Sequence, residues 1–220
     1  MSKKAVIILS GGLDSTVSLY TVKNEGIEIV GVLSFDYGQK HKKELEYAKK
    51  TCELLQLNHR IIDLQCLNPL LESSLTRQNL DIPEGNYKEE SMKQTVVPNR
   101  NMIMISIAAG WAISLKADYV VIGVHQGDHF IYPDCRSIFI NQLNKAIEIC
   151  DWHMVRLLTP VINLDKTTIV KLGIEEKVPF ENTWTCYKGK ELACGKCGSC
   201  QERLEAFKNN NIKDPISYEN

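Results

Sequence analysis

The sequence predicts an α/β fold in which a parallel sheet is covered by helices on both faces and carries a small cysteine-rich region near its C-terminus. Three observations predict it. Apolar β-forming runs alternate with segments of helical period from the first residues onward, and such alternation builds parallel sheets. The first run leads straight into a Gly-Gly turn followed by a helical pattern, and four of the eight cysteines crowd into one short stretch. A chain of 220 residues, 44% hydrophobic and 24% charged, suits one main globular domain. At this length about 70% of the unfolded surface can be buried in one core.

In chain order, "KAVIILS" (residues 4–10) reads as a strand, "DSTVSLYTVKNEG" (14–26) as a helix and "IEIVGVLSF" (27–35) as a strand. The segment "HKKELEYAKKTCELLQL" (41–57) places Leu45, Ala48, Cys52 and Leu55 on one helical face. "HRIIDL" (59–64) is a strand, the apolar run near 100–115 a buried helix, and "DYVVIGV" (118–124) another strand. The polar stretch between residues 64 and 98, broken by Pro69, Pro83 and Gly85, is too long for a plain connection and predicts a partly helical lid over the strand ends.

A formal net charge of −1 gives no basic footprint, so direct nucleic-acid binding is not expected. The apolar run 101–115 is shorter than the roughly 20 residues a bilayer requires, so neither is a membrane span. Two lysines precede an apolar run at the start, but that run covers only residues 5–9 and no small-residue cleavage site follows. A cytoplasmic chain is expected, in which clustered thiols hold metal rather than pair as disulfides.

The stretch "SGGLDS", Ser10 to Ser15, is the first candidate site. Gly11 and Gly12 let the chain turn sharply off the strand, and the following helix points its unpaired N–H groups and positive dipole end at the turn. An anion is stabilised there. Ser10 and Ser15 add hydroxyls, and Asp14 makes sense beside phosphates if it holds a magnesium ion. Neither a Walker-type loop nor G-x-G-x-x-G is present. The segment resembles instead the S-G-G-x-D-S loop of the ATP pyrophosphatase superfamily. That resemblance implies ATP cleaved between its α and β phosphates, with pyrophosphate held by the loop and AMP left on the substrate.

Cys186, Cys194, Cys197 and Cys200 are separated by seven, two and two residues, a spacing that can wrap one metal tetrahedrally. Four thiolates fit a closed, structural zinc site. An iron–sulfur cluster also uses four cysteines, but its usual spacings differ and no Cys-Pro is nearby. Cys52, Cys66, Cys135 and Cys150 are scattered.

After the strand at 118–124, His125, Asp128, His129, Asp134 and Arg136 crowd a strand-end loop and read as a substrate pocket; a metal site built on His125, Asp128 and His129 is the alternative. Arg100 stands at a helix start, against the dipole, which calls for a partner anion, either a ligand or an internal carboxylate. Lys40, in "DYGQKH", offers the same service, and Asp165 reads as an N-cap with Lys166 beside it.

Taken together, "SGGLDS", "DYGQKH", "VPNRN", "YPDCR", "LDKTTIVKLG" and the cysteine cluster resemble the 7-cyano-7-deazaguanine synthase family over nearly the whole chain. The resemblance implies an adenine nucleotide alpha hydrolase-like, Rossmann-like domain over residues 1–180, with a zinc-binding region at 181–220 packed on it. It implies conversion of 7-carboxy-7-deazaguanine and ammonia to the nitrile on the route to queuosine or archaeosine, with ATP and Mg2+, one structural Zn2+ and a homodimer. The nucleotide would be held by Ile8, Leu9, Ser10, Gly11, Gly12, Leu13, Asp14, Ser15, Thr16, Val17 and Ser18. Asp14, Lys40 and Arg100 would act in catalysis, and Tyr132, Asp134, Arg136 and Lys166 would bind substrate. The chain departs from many relatives at Phe130 and Ile131, at Lys40 and at Thr167 and Thr168. Sulfur transfer to tRNA would need an RNA-binding surface, and a non-catalytic zinc-ribbon module a basic face. Lys188, Lys190, Lys196 and Arg203 stand among glutamates and supply neither.

Overall fold

The computed structural model describes residues 2–77, 79–82, 90–125, 131–188 and 190–219. Five parallel strands form one sheet, in the order β3-β2-β1-β4-β5. They are β1 (Lys4–Ile8), β2 (Glu28–Asp36), β3 (His59–Asp63), β4 (Tyr119–Val121) and β5 (Arg156–Leu158). Among the described residues six α-helices accompany them, the last two following β5: α1 (Leu13–Asn24), α2 (Lys43–Leu54), α3 (Arg100–Ser114), α4 (Ser137–Glu148), α5 (Lys166–Glu175) and α6 (Gly198–Asn209).

β1 lies at the centre, with Ile7 paired to Val32 on one side and to Val121 on the other. Its side chains alternate between two cores, as the twofold period of a strand requires. Val6 and Ile8 pack with Ile105, Ala108 and Ala112 of α3. Ala5, Ile7 and Leu9 pack with Val17 of α1, Ile169 and Val170 of α5 and Phe207 of α6. Both faces are therefore covered, which explains why this strand reads as an unbroken apolar run.

The predicted strands and helices up to residue 124 form with ends shifted by a few residues. The strand expected at 118–124 pairs only over Tyr119–Val121, because the chain then leaves the sheet to bring Gly123 against α1. The sequence reading did not foresee α4, β5 or α6. Asp165 caps α5 as expected, accepting the Thr168 N–H at 2.7 Å. Of the stretch between 64 and 98, Pro83 and Gly85 lie outside the described residues. Its described parts pack inward: Leu75 and Met92 are buried in the core, and the Ser74 N–H donates to the Gln94 carbonyl.

The C-terminal segment is fastened by one buried ion pair. Arg203 of α6 is fully buried, and its Nε and Nη2 donate to Asp214 at 2.7 and 2.9 Å. Its remaining N–H groups reach Thr183, Thr185 and the Phe180 carbonyl, so all five donors are used. Grouping Arg203 with surface lysines is thereby corrected: it is a core residue, tying the segment after the Phe180–Asn182 turn to the tail near residue 214.

Removing one partner of such a pair strands the other charge in the interior. Asp214→Ala is expected to destabilise the fold by about 3–5 kcal/mol, read as a lowered urea midpoint.

Candidate active site

The sheet order reverses at β1, whose successor β2 lies on one side while β4 lies on the other. At such a switch the loops leaving the strands diverge and open a crevice beyond their carboxyl ends. A cavity of about 190 Å³ occupies this place.

Its floor is the turn after β1. Gly11 has φ +86°, and a Cβ there would lie 2.0 Å from the Glu44 carbonyl oxygen of α2. No residue with a side chain fits. Ser10 and Ser15 brace the turn: their Oγ atoms lie 3.0 Å apart, the Gly12 N–H donates to Ser10 Oγ, and the Ser10 N–H to Ser15 Oγ. α1 has no side-chain cap, and its first internal bond runs from the Thr16 N–H to the Gly12 carbonyl. The amide ends of Leu13, Asp14 and Ser15, all lining the cavity, therefore face it at the positive end of the helix. Gly123 closes against them, since a Cβ there would meet the Ser15 backbone at 2.7 Å.

Asp14 carries the densest charge in the cavity. Lys166 Nζ donates to both of its carboxylate oxygens, at 2.8 and 2.7 Å, and His125 Nε2 lies 3.7 Å from one of them. Lys166 also reaches Glu202 of α6 at 3.4 Å. Burial pushes the Asp14 carboxyl up, but Lys166 and His125 outweigh it and hold it below its usual value.

The opposite wall carries a second cluster. Arg100 donates to Tyr37 Oη at 3.4 Å, Tyr37 Oη lies 3.5 Å from His41 Nε2, and His41 Nε2 lies 3.5 Å from Glu44 Oε1. Gln39 Nε2 donates to the same glutamate oxygen at 3.1 Å. Burial, opposed by Gln39 and Arg100, pushes the Glu44 carboxyl up to about 8. Burial and the Arg100 charge hold His41 down at about 3, so it is neutral. Among the described residues its Nδ1 is buried without a hydrogen-bond partner. Trp184 and Tyr187 form the roof, anchored where the Trp184 N–H donates to the Gly11 carbonyl at 2.9 Å.

Beyond the roof, the sulfurs of Cys186, Cys194, Cys197 and Cys200 lie within 4.8 Å of one another, all buried. Cys194 and Cys200 are 4.0 Å apart. A tetrahedron with metal–sulfur arms of about 2.3 Å has edges of about 3.8 Å, so the thiols already stand near a metal's coordination sphere. The backbone N–H groups of Lys196 and Cys197 donate to Cys194 Sγ, and that of Cys194 to Cys186 Sγ. Such bonds favour thiolates.

Of the residues singled out from sequence, the structure brings Ile8, Leu9, Ser10, Gly12, Leu13, Asp14, Ser15, Arg100, Tyr132 and Lys166 to the cavity. Gly11 lies just behind them. Thr16 and Ser18 bond back along α1, to the Gly12 and Asp14 carbonyls, and Val17 is core. Lys40, Asp134 and Arg136 do not line it. Lys40 Nζ donates to the Leu80 carbonyl. Asp134 accepts the Asn101 N–H at 3.1 Å and so caps α3, the internal carboxylate that a cation at that helix start had called for. Arg136 is exposed at the start of α4. His125 is buried beside Asp14, behind the cavity lining, whereas Asp128 and His129 lie outside the described residues.

Tyr37, His41, Glu44, Gly123, Trp184 and Glu202 were missed. For Gly123, a glycine directly after a strand was an available signal; Glu202 had none.

This loop at this switch point defines an α/β protein of the PP-loop ATP pyrophosphatase class. The chain belongs to the family described as queuosine biosynthesis protein QueC, whose model matches residues 4–211. Similar relatives include the 7-cyano-7-deazaguanine synthases of Caldicellulosiruptor saccharolyticus and Methanoregula boonei. Each is 53% identical over 98% of this chain, covering 96% and 99% of the relative. Among solved structures, the U34-tRNA thiolase NcsA from Methanococcus maripaludis with its [4Fe-4S] cluster matches with a TM-score of 0.51 at 17% identity, over 95% of this chain and 64% of that one. NMN synthetase from Francisella tularensis matches with 0.51 at 15%, over 96% and 79%. Both likenesses concern the fold.

The raised Glu44 carboxyl has a consequence for stability. Folded Glu44 keeps its proton up to about 8, whereas the unfolded chain releases it near the usual 4.5, so between these values the folded state holds more protons and this contribution to stability falls as pH rises. Glu44→Gln should remove that fall. Urea midpoints across this range are expected to favour the variant increasingly toward pH 8.

Proposed function

We propose that the protein converts 7-carboxy-7-deazaguanine and ammonia to 7-cyano-7-deazaguanine, with ATP cleaved between its α and β phosphates. The observation that carries this reading is the uncapped amino end of α1 facing a cavity at the sheet's switch point, in a chain 53% identical to enzymes of that name.

The amides of Leu13, Asp14 and Ser15 bind the departing pyrophosphate, positioned before any charge develops. Arg100, on the far side of the cavity, draws the α-phosphate toward the substrate carboxylate. Adenylation turns the carboxylate oxygen into a leaving group. Ammonia displaces AMP to give the amide, and a second adenylation on the amide oxygen lets AMP leave with formation of the nitrile. The space between Asp14 and Glu202 already holds a cation, the Lys166 ammonium, which supports the binding of Mg2+ with the phosphates at these carboxylates. Mg2+ bound there would neutralise charge on the phosphates. Tyr132, which bonds Thr95 Oγ1 at 2.6 Å, offers a wall for the deazaguanine. Lys40, Asp134 and Arg136 enter this reading as supports around the cavity: Asp134 fixes the start of the helix that presents Arg100.

The four cysteines bind one structural Zn2+, supported by their separations and by the N–H groups aimed at sulfur. Residues 1–180 form the ATP-binding part and 181–220 a metal-binding part packed on it. A cytoplasmic homodimer that binds no nucleic acid directly completes the reading. Exposed apolar side chains on and after α4, among them Ile138, Ile149 and Trp152, offer a second copy a surface to cover.

Incubation with the acid, ATP and ammonium should yield AMP, pyrophosphate and a product with the mass of the nitrile; ADP, or no acid-dependent turnover, would refute the reading. Asp14→Asn is expected to lower the rate by about a hundredfold or more in the same assay. Metal analysis should find one zinc per chain, and Cys186→Ser should lose it together with thermal stability.

A further inference from the structure

Adenylation leaves open how ammonia, which is ammonium at neutral pH, becomes a nucleophile inside a closed cavity. We propose that Glu44 and His41 form the ammonium-accepting site, Glu44 taking the proton and His41 holding the nitrogen. The inference rests on the functional reading above and adds a catalytic residue to it.

Three observations carry it. Glu44 and His41 both line the cavity, and their side chains lie 3.5 Å apart. Among the described residues His41 Nδ1 is buried without a hydrogen-bond partner, beside a glutamate whose Oε1 already receives the Gln39 amide. A buried ring nitrogen is seldom left this way unless a ligand supplies the partner. Ammonium is a ligand small enough and rich enough in N–H groups to reach His41 and Glu44 together. Finally, the Glu44 main chain abuts Gly11, which puts this cluster beside the loop proposed to hold the phosphates and beside Arg100.

The environment also sets the direction of the proton. A carboxylate and an ammonium ion brought into this wall are both disfavoured by burial, whereas a carboxylic acid and ammonia are neutral. The groups facing Glu44 are Gln39 and His41, which are uncharged, and Arg100, whose positive charge further disfavours ammonium over ammonia. Ammonium gives one proton to Glu44. The freed lone pair forms the C–N bond to the acyl carbon, the C–O bond to the AMP phosphate breaks, and its electrons leave with AMP, which takes the second proton. The carboxyl value of about 8 fits a group that must accept a proton from ammonium and release it to solvent at the end of the cycle.

The test is Glu44→Gln, assayed with ammonium and with hydroxylamine, a nucleophile largely unprotonated at neutral pH. Exchange of labelled pyrophosphate into ATP, dependent on the acid and run without ammonium, reports adenylation alone. The expected result is retained exchange, a drop of about a hundredfold in kcat/KM for ammonium, and hydroxamate formation close to that of the unaltered protein. An unchanged kcat/KM for ammonium, an equal loss with hydroxylamine, or a raised KM for the acid would overturn the proposal. Absence of exchange in the unaltered protein would overturn the functional reading and this inference with it. As a second measurement, kcat/KM for total ammonium in the unaltered protein should level off near pH 8. A rise continuing to ammonium's own pKa, as in bulk uptake of free ammonia, would speak against Glu44.

Discussion

Gly11 has no room for a side chain, and the rest of the site follows from that. Its Cα lies against the Glu44 carbonyl and the Ala48 amide of α2, while its own carbonyl accepts the Trp184 N–H from the C-terminal segment. One residue thus joins the strand-to-helix turn, the wall and the roof. A Cβ would push α2 away by more than an ångström. With it would go Glu44 and His41, carried at that helix's beginning, and the roof would lose its anchor. Strain at φ +86° is negligible for glycine and substantial for any residue that could replace it.

Around this contact the cavity sorts its two carboxylates by environment. Asp14 meets Lys166 and His125 and stays ionised; Glu44 meets Gln39 and a neutral imidazole and keeps its proton well above the usual range. Two carboxyl groups in one cavity with their proton affinities driven apart are equipped for different tasks, one to stand opposite cations and the other to exchange a proton. Arg100 stands on the Glu44 side, where its charge opposes the effect of burial. Its guanidinium carbon lies over the Tyr37 ring, 5.7 Å from the ring centre, and the Asp134 carboxylate beside α3 balances it.

How much of this was legible beforehand depended on the range of the interaction. The alternation of strand and helix through residue 124, the Gly-Gly turn and the cysteine spacing are local patterns, and local physics writes them directly into the sequence. The edge strand β5 has three residues, too few for periodicity to register. α6 was hidden because its buried positions, Gly198, Ser199, Cys200, Arg203, Ala206 and Phe207, mix small, thiol and charged residues and make no continuous apolar stripe. Arg203 looks like surface charge until Asp214 is found within 2.7 Å of it. Glu44, His41 and Glu202 belong to the site only through tertiary proximity, and no spacing announces that. Asp134 and Lys40 have suitable chemistry, yet a helix amide and a carbonyl claim them first.

The cysteine cluster and the cavity meet on α6, and the helix geometry fixes how. Cys197 immediately precedes it and Cys200 sits in its first turn, while Glu202 lies two positions on, about 200° around the axis. One side of the turn therefore faces the thiols and the other faces Lys166. Arg203, three positions past Cys200, shares the buried side and is held by five hydrogen bonds. The Arg203 cluster restrains α6 against rotation, and a metal held by the cysteines would fasten it further. Its orientation sets the reach of Glu202 to Lys166, and Lys166 in turn spans to Asp14 in the phosphate loop. The cysteine cluster thus acts on the cavity without touching it, by fixing the angle of a helix that serves both.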